Sequence, residues 1–244
     1  SMTRPTLLIT GASSGIGAAT GRRAAPDWDL ALHYNANLTG AEETAKAARA
    51  AGARVTLIST DLSDPANVAA LFAAFDRDHA ALDGLVNNAG VVDIAARVTD
   101  FTPERVARMV AINLTAPMLV AGQAARRMTR GSAIVNVSSA AARFGSPGQY
   151  VDYAATKGGL EVFSKGLAQE LAADGIRVNA VRPGIIETPI HAKGGQPDRV
   201  NRLAPMVPMG RAGTADEVAR AILWLLSDQA SYVTDTVMDV SGGR

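Results

Sequence analysis

The chain contains no cysteine, which excludes a disulfide framework and thiolate metal sites and suits a reducing compartment. It has no apolar run approaching the ~18 residues a membrane span needs, and Ser1-Met2-Thr3-Arg4-Pro5 holds no apolar signal core. A cytoplasmic protein that makes no membrane contact is expected. An excess of one charge is missing too. Lys and Arg number 24 against 23 Asp and Glu, a net +1, so there is no electrostatic case for nucleic acid as a partner. His33, His79 and His191 are scattered without metal-ligand spacing, and no metal is expected. Heptads, repeats and low-complexity tracts are absent, and no shift in composition marks a linker. The 244 residues, 48% of them hydrophobic, therefore read as one domain over 1–244.

What is present is an alternation of strands and helices. Apolar runs at 6–10, 30–34, 55–58, 84–86, 133–137, 177–181 and 236–240 read as strands, several ending at Gly, Asn or Ser. Helix-compatible runs separate them: 40–51, 67–78, 103–128, 152–172 and 215–226, the last capped by Thr214. This order predicts a doubly wound α/β domain, Rossmann-like, with a mostly parallel seven-stranded sheet covered on both faces by helices. The segment 189–208, with four prolines and two adjacent glycines, reads as a mobile substrate lid.

Two stretches carry chemistry. Gly11-Ala12-Ser13-Ser14-Gly15-Ile16-Gly17 joins the first strand to the first helix. Its glycines allow a tight turn and close approach of a ligand, and the helix N-terminus offers free N–H groups to a pyrophosphate. No Gly-Lys-Ser/Thr follows, so it is not a P-loop. The second stretch is Tyr153-Ala154-Ala155-Thr156-Lys157. Residues four apart share a helix face, about 5–6 Å apart at Cβ. A phenol titrates at about 10, and a fixed positive charge beside it favours the phenolate and moves it toward working range. Taken alone, the pair also fits an ordinary Tyr and Lys on an amphipathic helix. Tyr150 is a rival phenol, but Ala154 stands four residues on from it.

Asn113 is an odd choice inside a helix; it is either a locally bonded amide or a side chain that interrupts the ladder and holds a water. His33 reads as a packed strand residue. An acid ending the second strand would hold a ribose 2′-OH, yet the chain there reads Tyr34-Asn35-Ala36-Asn37. Asp27 and Asp29 precede the strand and are misplaced for that role. NADP(H) is therefore favoured over NAD(H), although no Arg sits in that loop or at Ser14.

Thr10-Gly11-x-x-x-Gly15-x-Gly17, Asp61, Asn87-Asn88-Ala89-Gly90, Asn113, Ser139, Tyr153-x-x-x-Lys157 and Pro183-Gly184 with Thr188 occur in one order. In this the chain resembles the short-chain dehydrogenase/reductases from Thr6 to Gly243, and within them β-ketoacyl-acyl carrier protein reductase-like or sugar dehydrogenase-like members. The resemblance implies an oxidoreductase moving hydride between NADP(H), or less readily NAD(H), and a small carbonyl or alcohol. It implies catalytic roles for Asn113, Ser139, Tyr153 and Lys157, with Asn113 holding a water that links Lys157 to solvent. The cofactor set it implies is Gly11, Ser13, Ser14, Gly15, Ile16, Gly17, Tyr34, Asn35, Asp61, Leu62, Asn88, Ala89, Gly90, Tyr153, Lys157, Pro183, Gly184, Ile186 and Thr188. The family's usual serine lies thirteen positions before the tyrosine, at Ala140 here; Ser139 is chosen over Ser138 on the view that the following loop is one residue longer. Asp235 and Ser241 depart from the pattern, which has glycine and aspartate there. A homo-oligomer, tetramer or dimer, is also implied. A nucleotide-binding sensor or scaffold without turnover, and a non-redox epimerase or dehydratase, are the competing functions.

Overall fold

In the computed structural model the described residues are 3–188 and 195–244. Seven strands form one sheet: β1 (Thr6–Ile9), β2 (Asp29–Tyr34), β3 (Val55–Ser59), β4 (Gly84–Asn87), β5 (Ala133–Val137), β6 (Arg177–Pro183) and β9 (Val237–Val240). Their order is β3-β2-β1-β4-β5-β6-β9. Every pairing in it is parallel, so the sheet is wholly rather than mostly parallel. A two-residue ribbon, β7 (Ile186–Glu187) with β8 (Gly213–Thr214), lies outside it and was not foreseen.

Parallel strands need helical crossovers, which cover both faces and leave the strands without a solvent side. The central strands show the consequence: every residue of β1, β4 and β5 is buried. Successive side chains alternate between faces, so Leu7 and Ile9 join one core while Leu8 joins the other. The first core includes Leu30, Leu32, Val86, Val135 and Ile222, and brings in helices α1 (Gly15–Ala24), α2 (Leu38–Ala50) and α9 (Ala215–Leu226). The second includes Phe72, Phe75, Leu85, Ile134 and Val120, and brings in α3 (Asn67–Asp78), α5 (Ala116–Ala125) and α7 (Val151–Leu171). Thr214 caps α9 with a reciprocal Thr214–Glu217 box, as its sequence predicts.

The helix expected over 103–128 is interrupted. It runs as α4 (Pro103–Val110), a π-helical turn (Ala111–Thr115) and α5. The loop 140–150 carries one short helical turn, α6 (Ala141–Phe144). Of the expected lid, residues 189–194, His191 among them, lie outside the described residues; the rest holds a five-residue helix, α8 (Arg199–Leu203). From β1 the chain winds outward to β3, then returns to place β4 on the other side of β1. That reversal opens a crevice at the carboxyl ends of β1 and β4, where open parallel sheets bind ligands.

Candidate active site

The crevice is a cleft of about 490 Å³ whose wall includes Gly11, Ser13, Ser14, Gly15, Ile16, Asn35, Asp61, Leu62, Asn88, Ala89, Gly90, Ser139, Tyr153, Lys157, Pro183, Gly184, Ile186 and Thr188. Most residues singled out by sequence thus meet around one space. At its floor, Gly11 has φ +67°, and a Cβ there would lie 2.9 Å from Ala89 Cα. Only glycine permits that backbone and that approach. Asn88 locks the turn, its Nδ2 donating to Thr10 O at 3.2 Å and Gly11 O at 3.0 Å. Ser14 precedes α1 without a side-chain cap, and the first turn has no acid. The free N–H groups and positive dipole end of α1 therefore remain open to an anion, which fits a dinucleotide pyrophosphate.

Two of the expected cofactor residues are not on this wall. A Cβ on Gly17 would come within 2.1 Å of Gly11 O, so Gly17 serves the packing of helix on turn behind the wall. Tyr34 also lies off it, and its neighbours His33 and Asn35 take the position. His33 is more than a packed strand residue. Its Nδ1 accepts from Gly11 N at 3.0 Å and its Nε2 donates to Thr60 O at 2.8 Å. Only the neutral tautomer with the proton on Nε2 makes both bonds, and burial lowers the pKa of the ring, against the bond to Thr60. Arg108 on α4 also lines the cleft. It lies near enough to help lower the Asp61 carboxyl, whose larger influence is its bond to Ser63. Nothing in the local sequence marks either residue, since both are brought in by tertiary packing.

Beneath the opposite end lies a buried polar ladder. Asn87 and Asn136 are register partners on β4 and β5. Asn87 Nδ2 donates to Asn136 Oδ1 at 3.0 Å, Asn136 Nδ2 to Ser164 Oγ at 2.8 Å, and Ser164 Oγ to Leu160 O at 2.7 Å. Satisfied in this way, it ties α7 to the sheet and fixes where Tyr153 and Lys157 stand. At the start of α7, Arg105 on α4 holds Asp152 through two contacts of 2.9 and 3.3 Å.

Tyr153 and Lys157 share a face of α7, with Lys157 Nζ 5.7 Å from the Tyr153 ring centroid. The ammonium gives a hydrogen bond to Val137 O at 3.0 Å. Burial pushes the phenol up to about 12, opposed by its hydrogen bond to Ser139. Burial also brings the lysine down to about 8. The expected lowering of the phenol by Lys157 is not among the influences on it: burial raises it, Ser139 and Arg199 lower it, and the ammonium meets a carbonyl and the ring face. Both serines line the cleft, but their hydroxyls have different partners. Ser138 Oγ donates to Glu161 Oε1 at 2.7 Å, and Glu161 is itself held by Arg182 at 2.8 Å. Ser139 Oγ accepts from Ala141 N at 3.1 Å and is bonded to the Tyr153 phenol.

Asn113 is fully buried in the π-helical turn. Its Oδ1 accepts from Val91 N and its Nδ2 donates to Val91 O, both at 2.8 Å. The amide therefore pins the loop after Asn88-Ala89-Gly90. It stays close to the lysine: a Cβ on Gly90 would lie 3.4 Å from both Asn113 Oδ1 and Lys157 Nζ.

A doubly wound parallel sheet, a glycine turn facing an uncapped helix N-terminus and a Ser–Tyr–Lys cluster at the same cleft define a dinucleotide-type oxidoreductase. Residues 11–244 match the family model described as Enoyl-(Acyl carrier protein) reductase. The chain is 46% identical over 243 residues to an uncharacterized oxidoreductase, YgfF, of Escherichia coli (strain K12), covering 97% of this chain and 98% of that one. Among solved structures, an angucycline C-6 ketoreductase, LanV, with bound NADP superposes with a TM-score of 0.92 at 32% identity, covering 98% of this chain and 95% of that one. A short-chain dehydrogenase/reductase from Serratia marcescens gives 0.90 at 31% identity, covering 98% and 97%. The chain belongs to the short-chain dehydrogenase/reductase family.

Proposed function

We propose that the protein is an NADPH-dependent carbonyl reductase in which Tyr153 is the general acid. The observation that carries this reading is the hydrogen-bonded Ser139–Tyr153 pair, with Lys157 behind it, in the wall of the cleft that also holds the Gly11 turn. The cofactor would supply the hydride. Ser139 and Tyr153 would donate hydrogen bonds to the substrate oxygen, where charge develops only in the transition state. A phenol held at about 12 stays protonated at neutral pH and is still a far stronger acid than an alcohol, so it would deliver its proton to a nascent alkoxide. In the oxidative direction the same group would act as the base.

Gly11, Ser13, Ser14, Gly15 and Ile16 would hold the pyrophosphate, with Asp61 and Leu62 at the adenine. Asn88, Ala89 and Gly90 would shape the middle of the cleft, with Lys157 at the nicotinamide ribose. Pro183, Gly184, Ile186 and Thr188 would meet the carboxamide end. Asn113 would position the Val91 loop, leaving the backbone of its π-helical turn as the place for a relay water. The preference for NADP(H) rests on the missing acid after β2, on Arg108 at the adenine end, and on the NADP bound by LanV. Residues 1–244 would act as one domain. Met118, Leu119 and Val162, exposed on α5 and α7, suit a homo-oligomer joined through those helices.

The test is NADPH binding by nicotinamide fluorescence, followed by NADPH oxidation across a panel of ketones. Turnover with NADPH preferred over NADH supports the reading. Tight binding with no turnover of any ketone would favour the sensor or scaffold, and product formation without net redox change the epimerase or dehydratase.

A further inference from the structure

Beyond Tyr153 the cleft continues into a smaller cavity of about 270 Å³, walled in part by Ser139, Phe144, Tyr150, Tyr153, Arg199 and Arg244. On the reductase reading above, on which this inference rests, it is where the substrate lies, because Ser139 and Tyr153 face both spaces. The Gly11 turn and Ser14 do not line it, so cofactor phosphates belong elsewhere.

Two arginines line the cavity, and no aspartate or glutamate side chain does among the described residues. Residues 189–194 contribute none either, since their sequence is Pro-Ile-His-Ala-Lys-Gly. Several arginines elsewhere are matched with carboxylates, Arg105 with Asp152, Arg127 with Asp76 and Arg182 with Glu161, whereas Arg177 is held by three backbone carbonyls. Among the described residues Arg244 has neither a carboxylate nor a carbonyl for its Nη1. It lies over the Phe144 ring at 5.6 Å, and its Nη1 is buried without a hydrogen-bond partner. Among the described residues Arg199 bonds neutral amide oxygens, Gln149 Oε1 at 2.5 Å and Gln196 Oε1 at 3.4 Å, and no carboxylate. It sits 5.6 Å from the Tyr150 ring centroid, and that ring packs edge-on against Tyr153 at 5.6 Å. Leaving a buried donor unpaired costs free energy unless a ligand completes it.

We propose that the substrate is a ketone bearing an anionic group, a carboxylate or a phosphate, which Arg244 and Arg199 hold while the carbonyl reaches Ser139 and Tyr153. An anion held in the same cavity as the phenol makes charge a selector of substrate and a means of orientation.

The experiment gives the full chain two matched pairs of ketones with NADPH: levulinate against methyl levulinate, and dihydroxyacetone phosphate against dihydroxyacetone. Binding is read in parallel by calorimetry. The charged member of at least one pair should bind and turn over about tenfold better than its neutral partner, the scale of one charge-assisted hydrogen bond. That ratio should fall toward one in Arg244→Gln and shrink in high salt, and because it is taken within one preparation, partial misfolding of the variant cancels. The pair that responds separates carboxylate from phosphate. Equal or better binding of the neutral member in both pairs, or a ratio untouched by Arg244→Gln, would overturn the proposal. Charged-selective binding without turnover of any ketone would uphold it and overturn the reductase reading instead.

Discussion

Lys157 directs its ammonium at the carbonyl oxygen of Val137, 3.0 Å away. The lysine is therefore a buried cation with a fixed direction, anchored to the end of β5, and it pays for that position in desolvation. The shift from 10.5 to about 8 corresponds to roughly 3 kcal/mol against the charged form. Below pH 8 the cation is present and the cost is in full force. Between about 8 and 10.5 the unfolded chain holds the proton that the folded chain has lost, so stability rises with pH across that window. Lys157→Met should melt several degrees higher than the parent at pH 7, with the advantage shrinking toward pH 10, while losing reductase activity. Calorimetric melts over that range check it; a variant less stable at pH 7 would show the ammonium to be better paired than its contacts indicate.

His33 sets a different window. Its folded pKa lies below the ordinary 6.5 because it is buried, so its contribution is complete above 6.5 and fades as pH falls below that value. Protonation would put a hydrogen on Nδ1 facing the Gly11 N–H. Affinity for NADP+ should weaken and the melting temperature drop on acidification below pH 6.5, with both slopes flatter in His33→Gln. Fluorescence titration and melts at stepped pH test this.

The Arg105–Asp152 pair is buried on both sides, with side chains 10% and 4% exposed, and Asp152 Oδ1 also accepts from Tyr153 N at 2.9 Å. Arg105→Met leaves a carboxylate stranded and should cost about 3–5 kcal/mol. Adding Asp152→Asn should recover a large part of that loss, because the amide needs no counter-charge. A double-mutant cycle by urea unfolding measures the coupling.

Asp235 occupies the left-handed region, φ +62°, where the family pattern has glycine. Its carboxylate has a single long contact, Gln169 Nε2 at 3.4 Å. Asp235→Gly should stabilise the protein by roughly 0.5–1 kcal/mol by removing the Cβ penalty, net of glycine's added chain entropy. A rise of about 1–4 °C in melting temperature is expected, with activity unchanged.

The strands, the glycine turn, the Thr214 cap and the Tyr153–Lys157 spacing were legible because each depends on neighbours in sequence. Ser139 was chosen over Ser138 by reading the loop before Tyr153 as one residue longer; Ala140, at the family's usual offset, gives its N–H to Pro183 O. Asn113 announced an irregular helix, but its partner Val91 lies twenty-two residues away and leaves no mark nearby. The errors share a cause. Gly17 and Tyr34 were placed by motif position, whereas the wall is set by which way each residue faces after folding. The phenol's pKa was argued from one neighbour, and burial, a property of the whole fold, reversed it. His33, Arg108, Arg199 and Arg244 reach their cavities only through tertiary packing.

A single substitution goes to the heart of the account. Tyr153→Phe removes one oxygen and keeps the ring that packs on Tyr150, so folding and NADPH affinity should be retained. Ketone reduction under saturating NADPH should fall by about 10²–10⁴-fold. A variant that binds NADPH normally and reduces the same ketone at the parental rate would contradict the role given to that phenol.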